Sequence, residues 1–149
     1  MRRVESDLPI LTYGFRVFFL AAGVYAVAAL VAWLTWLGLH MAGAVVPDPS
    51  FTGAPHLWHG HEMVFGYALA AVAGFMLTAI PSWTGAQPVT GAPLAVLGAL
   101  WLAGRIVSWL SALLPGAVVA VVDLAFLPVF AYFVTRGLLL QPGARTLVF

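Results

Sequence analysis

The side chains best suited to chemistry in this chain lie in one short cluster. All four histidines fall between positions 40 and 61, and three of them belong to a run that reads H-L-W-H-G-H-E-M. Imidazole, thioether and carboxylate groups are protein ligands of haem iron, copper and other transition metals. We therefore predict that this run binds a metal, with candidate ligands His56, His59, His61, Glu62 and Met63.

Helical periodicity separates the two central histidines of this cluster. On a continuous helix, His59 shares a face with Glu62 and Met63, whereas His61 points the opposite way. We therefore expect His59 and His61 to serve two different metals, unless Gly60 breaks the helix and brings both to one centre. The chain has no cysteine, which excludes thiolate-ligated haem and iron–sulfur clusters. The spacing leaves the choice between haem and copper open.

Simpler roles compete with metal binding at several of these positions. His40 is typical of a polar residue at a membrane surface, and Met63 is typical of helix packing. Glu62 lies near the start of a predicted helix, where a carboxylate interacts favourably with the positive end of the helix dipole. The pair of histidines beside a carboxylate, in a chain otherwise poor in polar groups, favours ligation over these roles.

The composition assigns the cluster to a membrane protein. The chain is 63% hydrophobic and 7% charged, whereas a soluble domain carries about 25% charged residues. This small number of charged residues is not enough to cover a protein surface in water. We therefore expect an all-α bundle surrounded by a lipid bilayer. The formal charge of +1 offers no dense basic patch, which argues against a nucleic-acid partner.

Four apolar stretches are long enough to cross a bilayer, which needs about 20 helical residues. They span approximately 17–39, 59–80, 94–114 and 117–139, within a single membrane domain covering 1–149. Arginines flank the start of the first stretch and the end of the fourth, and the loop at 40–58 has none. The positive-inside rule then predicts cytoplasmic termini and a histidine cluster on the periplasmic side.

Two charged residues interrupt the third and fourth stretches. Arg105 and Asp123 each cost about 2.5–3.5 kcal/mol near the centre of a membrane helix. They lie at similar depths on either side of a tight turn at Pro115, so we expect them to meet. This pair is either a structural ion pair, or Arg105 binds a haem propionate or another anion. Trp101 and Trp109, four residues before and after Arg105, could shield it by stacking.

Several motifs resemble one known family. Residues 58–67 read W-H-G-H-E-M-V-F-G-Y and residues 73–85 read A-G-F-M-L-T-A-I-P-S-W-T-G. Residues 14–19 read G-F-R-V-F-F and residues 100–105 read L-W-L-A-G-R. In this order, these motifs resemble those of the NnrS family, with Ser82 where asparagine is usual and Val17 where proline is usual.

The resemblance implies a polytopic bacterial inner-membrane protein that contains haem and copper and takes part in the response to nitric oxide. Members of the family have about twelve spans of about 20 residues each. We therefore expect this chain to be a fragment, partnered by the remaining helices of a full-length protein. The motif implies cofactor-binding roles for His59 and His61, and we add Arg105 as a candidate partner of haem.

Our functional hypothesis is a haem- and copper-binding membrane protein that binds nitric oxide and protects against nitrosative stress. Whether it turns over a substrate is left open. One rival is a transporter or channel module in which Arg105 and Asp123 line a path and the histidines relay protons. A second rival is a structural membrane subunit without a redox role.

Overall fold

The computed structural model describes residues 8–44, 51 and 53–139. Within these residues the fold is entirely helical. The helices are α1 (Gly14–Met41), α2 (Pro55–His61), α3 (Leu69–Thr84), α4 (Ala92–Trp109), α5 (Gly116–Leu124) and α6 (Phe126–Leu139). A π-helical segment, Glu62–Ala68, joins α2 to α3 without a break, and short 3₁₀ turns occupy Pro9–Thr12 and Ser111–Leu113.

The predicted membrane bundle with four long apolar helices is confirmed. The four are Gly14–Met41, Pro55–Thr84, Ala92–Trp109 and Gly116–Leu139, the second being α2, the π-helical segment and α3 in sequence. Their outward faces are apolar: Val24 is 62% exposed and Val121 is 70% exposed. Surfaces of this kind are suited to contact with lipid tails.

A glycine explains where the second span ends. The turn expected after position 80 does not form there, and the helix runs through Pro81 to Thr84. Gly85 then adopts a left-handed conformation with φ 74°, and its N–H donates to the Pro81 carbonyl. Glycine at this position is the common helix terminator because it lacks the Cβ that disfavours positive φ.

The fourth span is broken near its middle, as Pro128 predicts. Helix α5 ends at Leu124 and α6 begins at Phe126, with Ala125 between them. A proline ring clashes with the carbonyl four residues earlier, which is that of Leu124, and removes its hydrogen bond. The break therefore lies one turn before the proline itself.

The helices pack in an up-and-down arrangement through small residues. Helix α1 crosses the second span antiparallel to it, with Gly14 against Leu77 and Gly74 against the Phe19 ring. Helix α4 lies against α5 because Gly104 lets Asp123 approach, where a Cβ would lie 3.2 Å from the carboxylate. The apolar core below the charged residues is built mainly from Phe18, Ala70, Ala73, Leu77, Leu94, Leu97, Trp101, Phe126 and Phe130.

Candidate functional site

A buried carboxylate is the centre of the polar site. Glu62, the first residue of the π-helical segment, is 0% exposed. Its Oε2 accepts hydrogen bonds from Arg105 Nη1 at 2.9 Å and from the Tyr25 hydroxyl. Its Oε1 accepts from Ser108 Oγ at 2.5 Å and lies 2.9 Å from His61 Nδ1. Four side chains from three helices, α1, α2 and α4, therefore converge on one carboxylate.

The predicted pairing of Arg105 with Asp123 is also present. Arg105 Nη2 donates to Asp123 Oδ1, and Arg105 is only 3% exposed. The same guanidinium bonds Glu62 through its other terminal nitrogen, so one cation joins two carboxylates. Only Nε of this guanidinium lacks a hydrogen-bond partner in the part of the chain that the structure describes. The sequence prediction was right about the pair and missed its second carboxylate.

His61 completes this network. Its Nε2 lies 3.0 Å from Asp123 Oδ2, while its Nδ1 faces Glu62. An ionised carboxylate only accepts hydrogen bonds, so two ionised carboxylates at this ring are matched by its imidazolium form, in which both nitrogens donate. Two cations, Arg105 and His61, then balance two carboxylates. We call these four residues the buried charge network.

The two tryptophans that were predicted to stack on Arg105 form hydrogen bonds with other groups near the network. Rather than stacking on Arg105, Trp109 Nε1 donates to the Tyr25 hydroxyl at 2.8 Å. Trp101 Nε1 donates to the backbone carbonyl of Gly66 at 3.0 Å, within the π-helical segment. Trp109 therefore fixes the hydroxyl that bonds Glu62, Trp101 holds the π-helical segment, and the charge of Arg105 is balanced by carboxylates.

His59 lies outside the network and makes a different kind of contact. Its ring stacks on Trp33 of α1, with centroids 4.9 Å apart and planes 8° apart. Trp33 stacks on Trp36 at 5.5 Å, and Trp36 stacks on His40 at 5.0 Å. His59 Nδ1 is buried and has no hydrogen-bond partner among residues 8–44, 51 and 53–139. This nitrogen is therefore not committed to any protein group there.

The five candidate ligands do not form one cluster. His61 and Glu62 belong to the buried charge network, whereas His59 contacts α1. His56 is exposed one turn before His59, and Met63 is half-buried. Among the described residues, no group of three or more His, Cys, Asp or Glu side chains is placed to hold a metal ion. Their roles as ligands stay predictions.

Two members of the site, Tyr25 and Ser108, were not predicted from the sequence. Ser108 follows Arg105 by three residues, a spacing that places both on the same face of a helix. This spacing could have identified Ser108 from the sequence alone. Tyr25 lies on α1, far from the cluster in sequence, and its approach depends on Gly66, where an added Cβ would overlap the Tyr25 ring. The glycine in the motif was the only indication of this contact.

Comparison with known proteins bears on the same region. No curated protein and no solved structure is detectably similar to the chain. The family described as NnrS protein matches residues 9–149, a range that includes the histidine run and every member of the buried charge network. Because the match covers nearly all of the sequence, this chain belongs to the NnrS family.

Proposed function

We propose that this chain is part of a haem- and copper-binding protein of the bacterial inner membrane that acts in the nitric oxide response and in resistance to nitrosative stress. Membership of the NnrS family supports this role, and the four apolar helices support the membrane setting. The arginine pattern supports cytoplasmic termini and a periplasmic histidine cluster.

The observation that best supports a cofactor is the unbonded ring nitrogen of His59. A buried nitrogen without a protein partner is costly, and an imidazole nitrogen with a free lone pair is what iron or copper requires. We infer that His59 would hold haem and that His56, one turn away, is a candidate copper ligand. Haem, when bound, would supply the capacity to bind nitric oxide.

His61 fits a ligand role less well than His59. Both of its nitrogens bond carboxylates, so a metal at this ring would displace Glu62 or Asp123. The four oxygens of those carboxylates also have partners within the network. We therefore assign His61 to positioning: it ties α2 to α5 directly and to α4 through Glu62, and so fixes the helix that carries His59.

Arg105 does not have the surroundings of a residue lining a transport path. It is 3% exposed and bonds two carboxylates. The core residues packed below the network, among them Phe18 and Phe126, are apolar. These observations favour a structural ion network over the transporter hypothesis. They also disfavour a direct contact of Arg105 with a haem propionate.

Absorption spectroscopy and metal analysis test the proposal. We expect the full-length protein, purified from cells supplied with haem and copper, to show a Soret band that shifts with nitric oxide. His59→Ala should lose the band. His61→Ala should retain it in the fraction that remains folded, and His40→Ala serves as the matched histidine control. A protein that holds neither haem nor copper would contradict the cofactor proposal, and a His59→Ala variant with full haem content would contradict the ligand assignment.

A further inference from the structure

A cavity of about 330 Å³ lies at the end of the bundle opposite the histidines. It is bordered by the segment after α3, from Ala86 to Thr90, and by Phe133, Arg136 and Gly137 of α6. Thr84, the last residue of α3, follows His59 by 25 helical residues, or roughly 37 Å at the rise of an α-helix. The cavity and the histidine cluster therefore lie near opposite membrane surfaces.

Among the residues that the structure describes, Arg136 is the one charged residue that lines this cavity. It is exposed and makes no hydrogen bond or ion pair with the residues that the structure describes. The nearest carboxylate on its span is Asp123, thirteen residues earlier, which is roughly 20 Å along a helix. Among residues 8–44, 51 and 53–139, its guanidinium therefore has no counter-ion within the cavity.

The rest of the lining combines hydrogen-bonding and apolar groups. Gln87 and Thr90 contribute side chains that can donate hydrogen bonds. A smaller adjoining space reaches Met76 and Ile80 of α3 and shares Phe133 with the first. The cavity thus has a cationic, polar part and an apolar extension towards the membrane helices.

We propose that this cavity binds the phosphate headgroup of an anionic phospholipid. A guanidinium matches a phosphate in charge and geometry because its N–H groups form a planar fork. Basic pockets at the ends of membrane helices are known to take such headgroups. The volume of about 330 Å³ is at the lower end of small-ligand pockets, which suits a headgroup with its acyl chains outside. The apolar extension and the membrane surface favour a lipid over free phosphate.

Native mass spectrometry of the purified full chain in mixed micelles tests this site. We expect the protein to retain phosphatidylglycerol about tenfold better than phosphatidylcholine, because the choline cation beside the phosphate of the latter is repelled by the guanidinium and offsets the charge-assisted contact. Arg136→Gln should abolish the preference. Arg16→Gln is the matched control: it removes the same charge at the same membrane surface, from a side chain already bonded to the Pro9 carbonyl at 2.8 Å. It should keep the preference.

Three results would overturn the proposal. The first is equal retention of the two lipids by the unmodified protein. The second is an equal loss in the Arg136 and Arg16 variants, which would indicate general surface attraction. The third is displacement of the lipid by an equal concentration of inorganic phosphate, which would indicate a site for a free anion.

Discussion

Replacing Arg105 by methionine is the most direct test of the buried charge network. The substitution keeps an unbranched side chain that fills the space of the aliphatic part of arginine, and it removes the bonds to Glu62 and Asp123. Two charge-assisted hydrogen bonds at about 1.5–3 kcal/mol each give a loss of about 3–6 kcal/mol. Removing one partner of a buried ion pair independently gives about 3–5 kcal/mol. We therefore expect the free energy of unfolding to fall by about 4 kcal/mol.

The second part of the test is a double-mutant cycle with Glu62→Gln. Most of the cost of losing Arg105 comes from leaving Glu62, which is 0% exposed, as an unpaired buried charge. Neutralising that carboxylate in the Arg105→Met background should therefore cost less than in the wild-type protein. We expect a coupling of about 1.5–3 kcal/mol between the two positions.

Unfolding in a denaturing detergent, followed by tryptophan fluorescence, measures both quantities. Arg16→Met is the control, because Arg16 is exposed and its bonds to Pro9 and Thr12 are local. It should change stability by no more than about 0.5 kcal/mol. If Arg105→Met stays within about 1 kcal/mol of wild type, or if the double mutant is additive, the reasoning about this network is wrong.

Two further substitutions test the contacts around Glu62 by the same unfolding measurement. Gly66→Ala should destabilise the bundle by about 1–3 kcal/mol because the new methyl group would overlap the Tyr25 ring. Gly23→Ala, with open space at its Cβ, should instead be neutral or stabilise by about 0.5–1 kcal/mol; equal effects would contradict the packing argument. Tyr25→Phe removes a donor to Glu62 and an acceptor for Trp109, so we expect a loss of about 1–3 kcal/mol. Tyr132→Phe, at a ring that is 57% exposed, should cost much less, and a matching loss there would count against the network.

The four membrane spans and the ion pair between Arg105 and Asp123 were predictable because both depend on the number of residues in a segment. Hydropathy and length indicate the four spans, since lipid requires long apolar helices. The depth of Arg105 and Asp123 follows from their distance to a turn, at a constant rise per residue. Family membership was likewise indicated by the order of short motifs, and the match over residues 9–149 confirms it.

The surroundings of Glu62 were not predictable in the same way. The predicted helical face assumed a constant period of 3.6 residues, but Glu62–Ala68 is π-helical, and the wider turn changes which later residues share a face with Glu62. His61 was expected to point away from Glu62, yet its ring reaches both Glu62 and Asp123. Tyr25 depends on how α1 crosses the second span, which no local pattern in the sequence specifies.

The π-helical segment also affects how this protein tolerates changes in chain length. A π-helical turn holds one residue more than an α-helical turn between bonded backbone groups. Loss of a single residue such as Val64, which is exposed, would let the span relax into regular α-helix. Because the extra residue and the wider turn offset each other in rotation, that relaxation would leave the two flanking parts close to their present orientation. Glu62 would stay near Arg105 while the lower half stayed packed against α1, whereas loss of a residue from regular helix in α3 would rotate the two parts by about 100° relative to each other. The π-helical segment is therefore where this span can lose a residue and keep its polar centre.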